Sequence, residues 1–326
     1  MPETTFITDP AELKSLLELP ESADPHAAAS LALRIPREMA ERLKKGDPND
    51  PVLLQFWPSA RENGSPVEFT ADPLCERSGP AAEKNLPDGL LWKYAGRVLV
   101  TTQGVCAAHC RFCFRRHLSP AAPIDWEKIA AFLEKTPSVE EVILSGGDPL
   151  GMPPKERDLA FHYIGALPFV KRVRIHTRYP ILSPSSLTPA LFRGLEEIEK
   201  RGKRLLFAFH INHPAELTAA ADEGTASLRR RGFPLFSQTV LLRGVNDRAE
   251  ILAELFRRAF ELGIVPYYLH QLDRVAGASH FEVPVEEGRR IVAELRALLP
   301  GYLVPRYVRE VPGAPSKIPL ERSSAD

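Results

Sequence analysis

The stretch that decides the fold is residues 98–116, which read VLVTTQGVCAAHCRFCFRR. The first five of these residues are apolar or β-branched, and they predict a short buried strand. Three cysteines follow within eight residues, Cys106, Cys110 and Cys113, whereas the fourth cysteine, Cys75, stands alone. A disulfide framework spreads an even number of cysteines along a short secreted chain. The clustered cysteines instead predict a metal or iron–sulfur site on the loop after a strand.

Downstream of that stretch, short apolar segments alternate with helical ones. The apolar segments predict strands at residues 97–102, 141–144, 172–177, 204–211, 234–242, 264–270 and 302–308. The intervening segments predict helices at residues 126–135, 155–166, 184–201, 214–231, 247–262 and 285–299. Six strand–helix units predict an α/β fold with a parallel sheet and right-handed crossovers. Because the candidate functional residues recur at the C-terminal ends of strands, we expect a full or partial barrel rather than an open sheet.

The first ninety residues follow a different pattern. Only short helices are predicted there, at residues 10–18 and 36–45, and seven prolines fall within residues 47–88. Prolines at this spacing prevent long helices and favour extended or looped chain. We therefore predict a helical and irregular covering arm, a barrel and a C-terminal segment, at residues 1–90, 91–300 and 301–326.

The composition narrows the class of protein. The chain has 326 residues, 42 of them basic and 42 acidic, so its formal net charge is zero. A nucleic-acid binder is normally basic, so we expect no nucleic-acid partner. The start of the chain lacks the basic and apolar regions of a signal peptide, and no apolar run approaches the roughly 18 residues of a membrane helix. We expect a soluble cytoplasmic protein with no membrane partner.

The three clustered cysteines suit more than one kind of site. Three thiolates on one loop can bind three irons of a [4Fe–4S] cluster, which takes four cysteines when the protein supplies every ligand. A missing fourth ligand leaves one iron open to a substrate, as in a catalytic metal site. The alternatives are structural zinc, for which His109 or His117 could be a further ligand, and three unrelated buried thiols.

The spacing Cys-x3-Cys-x-aromatic-Cys, with Phe112 as the aromatic residue, resembles the signature of the radical S-adenosylmethionine (SAM) enzymes. The resemblance implies a partial (β/α)6 barrel whose [4Fe–4S] cluster is held by Cys106, Cys110 and Cys113. It also implies that the open iron binds the amino and carboxylate groups of SAM. Reduction of the cluster would then split SAM to give a 5′-deoxyadenosyl radical.

Further segments resemble the SAM-binding parts of that superfamily. The turn at residues 144–149, LSGGDP, is similar to a Gly-Gly-Glu motif, with aspartate in place of glutamate. His210 and Gln238, on successive predicted strands, also lie in segments that match the family. Without the resemblance, the turn would be an ordinary one and the strand residues would be hydrogen-bonded polar side chains. The implied SAM-binding residues are Ser145, Gly146, Gly147, Asp148, His210 and Gln238.

A narrower resemblance starts at residues 113–117, CFRRH, which are similar to the Cys-x-Arg-Arg motif of the lysine 2,3-aminomutases. These radical enzymes also use pyridoxal 5′-phosphate (PLP), which needs a lysine for its Schiff base. Residues 311–317, VPGAPSK, resemble the PLP loop of the family, which implies that Lys317 is the catalytic lysine. Lys93 and Arg97 lie thirteen and nine residues before Cys106, where the family has basic residues, so the resemblance implies that they bind the PLP phosphate. Without the resemblance, they would be a pair of surface charges beside a strand.

The resemblance also implies the substrate contacts. Arg115, two residues after the last cysteine of the cluster, takes the place of the arginine that binds the substrate carboxylate. Asp273 and Glu310 take the places of two acids that receive the distant ammonium group of lysine, although the family has aspartate at the second position. Two acids favour a cationic substrate tail. The alternative is that they are paired with a nearby arginine, Arg306 or Arg309.

Residues 266–273 and 301–305 most resemble the bacterial lysine 2,3-aminomutases that serve elongation factor P modification. The resemblance implies an isomerase that converts L-α-lysine to β-lysine, a reductant protein, a homo-oligomer, and a link to elongation factor P and its ligase. The alternatives are an aminomutase for arginine or glutamate, a zinc-binding structural protein and an RNA-modifying radical enzyme. Cys75 has no predicted role.

Overall fold

The computed structural model describes residues 5–23, 25, 31–77, 79, 85–102, 106–117 and 123–321. The strands are β1 (Phe6–Ile7), β2 (Ile35–Pro36), β3 (Leu90–Tyr94), β4 (Arg97–Thr101), β5 (Glu141–Ser145), β6 (Arg172–Thr177), β7 (Arg204–His210), β8 (Leu235–Val240), β9 (Ile264–His270), β10 (Arg306–Arg309) and β11 (Ile318–Pro319). The α-helices are α1 (Pro10–Leu16), α2 (Arg37–Ala40), α3 (Trp126–Glu134), α4 (Pro154–Ala166), α5 (Tyr179–Leu182), α6 (Pro189–Lys200), α7 (Ala219–Arg229), α8 (Ala249–Glu261) and α9 (Val285–Leu298). No helix in the described residues has both the length and the apolar character that a membrane span needs.

One sheet of nine strands forms the centre of the fold. Its order is β11-β10-β9-β8-β7-β6-β5-β4-β3, and all strands from β4 to β10 are parallel. At one edge β3 is antiparallel to β4, and at the other β11 is antiparallel to β10. Each neighbouring pair of parallel strands is joined through a helix. This arrangement confirms the α/β fold and the six strand–helix units predicted from the sequence.

The sheet is strongly curved, as a partial barrel requires. In a flat sheet β3 and β10 would lie roughly 34 Å apart, because seven strand spacings of about 4.8 Å separate them. Lys93 in β3 nevertheless forms an ion pair with Glu310, the residue after β10, with 3.3 Å between Nζ and Oε1. The two edges of the sheet therefore come near each other. Among the described residues no strand pairing joins β3 to β11, so the barrel is partial.

Local sequence accounts for these elements. β5 reads EVILS and is buried along its whole length, as a parallel strand covered on both faces should be. α6 begins after Thr188, whose side chain accepts a hydrogen bond from Leu191 N, and Pro189 occupies its first turn. The residues that α6 buries recur at helical spacing, and they are Leu191, Phe192, Leu195 and Ile198.

Several predicted segments differ from the structure. The single helix predicted for residues 184–201 is wrong, because α6 starts only at Pro189 and a separate 3-10 turn, Pro184–Ser186, precedes it. Proline interrupts the helical hydrogen bonds there. The strand predicted from residue 302 starts at Arg306, after the 3-10 turn Gly301–Leu303. The hairpin strand β3 was not predicted, since only its first residue is buried and its apolar pattern is weak.

The arm packs onto the barrel and shares its core. Buried apolar residues from both parts belong to one continuous hydrophobic cluster. The arm backbone also pairs with the loop after β9: Thr70 N donates to Arg274 O at 2.9 Å, and Ala276 N donates to Thr70 O at 2.9 Å. These contacts place arm residues beside the ends of the strands. The exact division at residues 90 and 300 stays a prediction.

Candidate active site

The predicted functional residues collect at one end of the barrel. The cysteines follow β4, Asp148 follows β5, His210 ends β7, and Glu310 follows β10. In a parallel barrel the C-terminal ends of the strands lie on one face, so residues that are far apart in sequence meet there. We refer to residues 106–117, which carry the cysteines, as the cluster loop.

The arm holds the cluster loop in place. His109 N donates to Arg34 O at 2.9 Å, and Arg111 N donates to Gln55 O at 2.8 Å. The Arg111 side chain is buried and donates from Nε to Glu62 Oε1 at 2.7 Å. Glu62 and Gln55 both belong to the arm, so the loop that carries the cysteines is fixed from outside the barrel.

The three cysteines of the cluster loop are free thiols close to one another. Burial, and then the charge of Cys110, raises the pKa of Cys113 to about 11. Burial, and then the charges of Cys113, Asp148 and Cys110, raises the pKa of Cys106. Three thiolates that repel one another need a bound cation. Among the described residues no three His, Cys, Asp or Glu side chains surround a single-ion position, whereas a cubane takes each thiolate on a separate iron.

The turn after β5 lies against β4 and β6. Gly146 has a φ of +95°, and a Cβ there would lie 2.6 Å from Thr101 Cα, so a side chain cannot be accommodated. The Asp148 carboxylate accepts hydrogen bonds from Thr177 Oγ1 and Arg178 N, each at 2.6 Å. Burial raises the pKa of Asp148 to about 6, although these bonds favour the ionised form. Asp148 thus fixes the turn to the end of β6 and lies near Cys106.

His210 and Gln238 lie on neighbouring strands, as predicted. The ring of Phe112 in the cluster loop meets the ring of His210 edge-on, with 5.5 Å between centroids. His210 Nε2 lies 3.1 Å from Asn212 Nδ2, and Gln238 Nε2 lies 3.1 Å from His176 Nε2. Burial lowers the pKa of both histidines, so both are neutral at pH 7. The two histidines and Gln238 therefore present polar, uncharged groups to the site.

Arg178 is a residue that the sequence analysis missed. It follows β6, and its Nη1 lies 2.8 Å from Cys110 Sγ while Nη2 donates to Glu216 Oε2 at 2.6 Å. Burial alone would lower the pKa of Arg178, but the charges of Cys110 and Glu216 raise it. A charged donor next to a thiolate stabilises the negative sulfur. The available signal was a charged residue directly after a predicted strand, where barrel sites form.

Five alternating charges connect the cluster loop to the C-terminal segment, and we call them the charged row. Arg115 donates from Nε and Nη2 to the two carboxylate oxygens of Glu76, at 2.8 Å each. Lys93 Nζ lies 3.0 Å from Glu76 Oε1 and 3.3 Å from Glu310 Oε1. Lys317 Nζ forms an ion pair with Glu310 Oε2. The row therefore brings together four residues predicted from the sequence and one, Glu76, that was missed.

Glu310 is paired with lysines. Burial would raise the pKa of Glu310, but Lys317 and Lys93 outweigh burial and lower it to about 2. The carboxylate is therefore ionised throughout the neutral range. The alternative pairing of Glu310 with Arg306 or Arg309 is wrong, because these two lysines occupy its carboxylate.

Asp273 and His270 lie at the end of β9, beside the charged row. Burial, and then the charge of Glu310, raises the pKa of Asp273 to about 7. Burial, and then the charge of Lys317, lowers the pKa of His270 to about 3. His270 Nε2 is buried and has no hydrogen-bond partner among the described residues. A buried polar atom without a hydrogen-bond partner is uncommon. His270 Nε2, near Lys317, is therefore a candidate to bind a polar atom of a ligand.

A cavity of about 150 Å³ opens onto the charged row. The arm lines it with Leu74 and Cys75, and β3 lines it with Trp92, Lys93 and Tyr94. The C-terminal loop contributes residues 310–314. Arg97 lies nearby, with its guanidinium 4.5 Å from the centroid of the Tyr94 ring, and it forms no ion pair with any described residue. A larger cavity of about 320 Å³ is lined by none of the predicted site residues.

Comparison with known proteins decides the family. The Radical SAM superfamily matches residues 100–256. L-lysine 2,3-aminomutase of Escherichia coli (strain K12) is 41% identical over 323 residues, which cover 97% of this chain and 92% of that relative. This chain belongs to the radical SAM lysine 2,3-aminomutase family.

Other members of the lysine 2,3-aminomutase family match over similar lengths. The Haemophilus influenzae protein of that name is 37% identical, and the match covers 95% of this chain and 92% of that relative. The Clostridium subterminale protein is 33% identical, with 95% of this chain and 74% of that relative covered. These matches confirm the family predicted from the sequence.

Membership of the lysine 2,3-aminomutase family makes this protein an isomerase that uses radical chemistry. Radical SAM enzymes use a [4Fe–4S] cluster and SAM, and lysine 2,3-aminomutases depend on PLP, so the three predicted cofactors are confirmed. A zinc-binding structural protein and an RNA-modifying enzyme are excluded by the same similarity. The three free thiols are chemically suited to a cluster, and His270 Nε2 and Arg97, which lack a hydrogen-bond or ion-pair partner among the described residues, are suited to bind polar groups of these cofactors.

Proposed function

We propose that the protein is an L-lysine 2,3-aminomutase that converts L-α-lysine to β-lysine. The observation that carries this proposal is the charged row, which has a guanidinium at one end and an acid beside Lys317 at the other. L-Lysine has a carboxylate and a distant ammonium group that match these two ends. Glutamate would instead bring a second carboxylate toward Glu310 and Asp273, where like charges repel.

In this proposal each cofactor has its own set of residues. Cys106, Cys110 and Cys113 hold the cluster. SAM is bound by Ser145, Gly146, Gly147, Asp148, His210 and Gln238. PLP is attached to Lys317, and its phosphate is bound by Lys93 and Arg97. When bound, the reduced cluster and SAM supply a carbon radical, and PLP supplies a conjugated ring that stabilises unpaired electrons.

The side chains of the charged row bind and orient the amino acid. Arg115 binds the α-carboxylate through two parallel N–H donors, which fixes both the position and the rotation of that group. Glu310 and Asp273 receive the distant ammonium. Glu310 lies between Lys317 Nζ and Lys93 Nζ. Lys317 would hold PLP through its Nζ, and Glu310 and Asp273 would bind the ammonium of the substrate.

The direct test is an anaerobic assay of the purified protein with a reconstituted cluster, SAM, PLP, a reductant and L-lysine. Products are derivatised and identified by mass spectrometry, with L-arginine and L-glutamate as competing substrates and Lys317→Ala as the control variant. We expect β-lysine from L-lysine with the wild type only. Turnover of arginine but not lysine would instead support an arginine aminomutase, and absence of any β-amino acid would overturn the proposal.

We further propose that the β-lysine is used to modify elongation factor P. The supporting observation is the sequence resemblance of residues 266–273 and 301–305 to the aminomutases of the elongation-factor type. The test combines this enzyme, a ligase of that pathway, elongation factor P and isotopically labelled L-lysine. Label on elongation factor P only when this enzyme is active would support the proposal, and equal labelling without it would contradict it.

A further inference from the structure

The arm contributes one buried carboxylate to the charged row, and nothing in the preceding assignment uses it. Glu76 has a side chain that is only 4% exposed, and it contacts two cations from different elements. One cation, Arg115, belongs to the cluster loop, and the other, Lys93, belongs to β3. The proposed function gives these two cations different anions, the substrate carboxylate and the PLP phosphate.

The backbone around Glu76 is fixed by Asp72. Glu76 N donates to Asp72 Oδ1 and Arg77 N donates to Asp72 Oδ2, both at 2.9 Å. Cys75 N donates to Asp72 O at 3.2 Å, and Cys75 has a φ of +49°, in the left-handed region. Asp72 thus closes a compact turn that presents Glu76 to the site from a defined position.

The bond between Glu76 and Arg115 uses only one side of the guanidinium. Glu76 occupies Nε and one hydrogen of Nη2. These are the hydrogen bonds that the described residues give to the Arg115 side chain. The opposite side, formed by Nη1 and the second hydrogen of Nη2, can therefore bind another carboxylate in the two-pronged manner. Because a guanidinium is planar, holding one side fixes the direction in which the other side points.

The cations around Glu76 keep its carboxylate ionised. Burial would raise the pKa of Glu76, but Arg115 and Lys93 lower it to about 2, so the side chain is ionised at neutral pH. Without Glu76, Arg115 would keep no ion pair with any described residue, which is costly for a buried cation, and Lys93 would keep its contact with Glu310. Arg115 would then be free to change rotamer, and Lys93 would be held from one side only. With Glu76 in place, both are ordered before any ligand arrives.

We propose that Glu76 is a positioning residue that orients Arg115 toward the substrate carboxylate and Lys93 toward the PLP phosphate. The identity of the two anions rests on the proposed function. Because one carboxylate orders both cations, its removal weakens binding of both ligands. If Glu76 formed only a structural ion pair, its removal would lower the stability of the protein and leave both affinities unchanged.

The test uses the full-length enzyme with Glu76→Gln, which keeps the shape of the side chain and removes its charge. The PLP dissociation constant is measured by absorbance titration without lysine, and KM and kcat for L-lysine are measured anaerobically. We expect about tenfold weaker PLP binding and an about tenfold higher KM, with a smaller change in kcat, since a charged hydrogen bond to each cation is lost. Unchanged PLP affinity together with unchanged KM would overturn the proposal.

The matched control is Glu141→Gln. Glu141 is also buried, and it accepts from Nε and Nη2 of Arg174 at 2.9 and 2.6 Å, but it lies at the start of β5 and outside the charged row. This variant should melt at a lower temperature and bind PLP and lysine as the wild type does. If Glu76→Gln does not fold, Glu76→Asp replaces it. The shorter side chain keeps the charge but cannot reach both cations, so a smaller shift in the same two constants is expected, and no shift in either overturns the proposal.

The two readouts separate this inference from the proposed function. If the wild type makes no β-lysine but binds PLP, the proposed function fails, and the PLP titration still decides whether Glu76 orders Lys93. If the wild type makes β-lysine and Glu76→Gln binds PLP and lysine normally, only the role of Glu76 is overturned.

Discussion

The cluster side and the substrate side of the active site lie at the same end of the barrel, but the chain builds them differently. The cluster side takes its three cysteines from eight consecutive residues, and its two histidines are kept neutral by burial. The substrate side takes five charges from residues 76 to 317, and two of its acids, Glu76 and Glu310, stay ionised because each is paired with two cations.

This difference follows from what each side must bind. A cluster needs several thiolates at fixed spacing, which one short loop can supply. An amino acid and a phosphate ester carry separate charges, and each needs a paired, oriented partner. One of the five members of the charged row, Arg115, belongs to the cluster loop, and the other four lie outside it. Apart from Arg115, the two sides should respond separately to substitution.

We expect the largest effect from a substitution on the cluster side, Cys110→Ala. Cys110→Ala should prevent cluster assembly and reduce turnover by more than about a thousandfold, because SAM cleavage requires the cluster. Iron content and SAM cleavage measure the loss. PLP absorbance should stay at the level of the wild type, since no residue of the charged row is bonded to Cys110. Loss of PLP together with iron would show that the two sides are one unit.

An intermediate effect is expected from the substrate side. Glu310→Gln should lower kcat/KM for L-lysine roughly a hundredfold, about 2.7 kcal/mol, because it removes one partner of a buried charge pair. Iron content and SAM binding should not change. Steady-state kinetics and iron analysis test both statements. A variant that keeps normal kcat/KM for lysine would contradict the role given to Glu310.

The smallest expected effect concerns pH. The pKa of Asp273 is raised to about 7, so its carboxyl loses its charge as the pH falls below that value. KM for L-lysine should therefore fall up to about tenfold between pH 6 and pH 8, as the carboxylate forms and accepts the ammonium group. Glu310 and Glu76, with pKa values near 2, do not titrate in this range.

The substitution Asp273→Asn sharpens this test. It should leave KM at pH 6 nearly unchanged and remove most of the change between pH 6 and pH 8. The same pH dependence in the variant and the wild type would assign the titration to another group.

The two sides also differ in how far the sequence predicts them. The cluster loop is contiguous, so its cysteine spacing can be compared directly with the radical SAM signature that it resembles. The apolar strand before it places the loop at a strand end. The charged row joins residues such as Lys93 and Glu310, which are 217 positions apart. Glu76 has no local motif, and only the folded chain brings it to the site. Arg178 has only its position after a strand as a signal, and His270 lies in a segment that resembles the family but gives it no role. Family resemblance supplied Lys317, Asp273 and Glu310, but it did not supply the contact of Glu310 with Lys93 or the partners of Lys93.

The most direct measurement for the central claim is the site of PLP attachment. The purified protein is loaded with PLP, treated with borohydride to trap the bound cofactor, digested and mapped by mass spectrometry. We expect the phosphopyridoxyl group on Lys317 alone, with Lys93 unmodified because two carboxylates, those of Glu76 and Glu310, bind its Nζ, whereas one carboxylate pairs with Lys317. Modification of Lys93, or of a lysine outside the charged row, would contradict it.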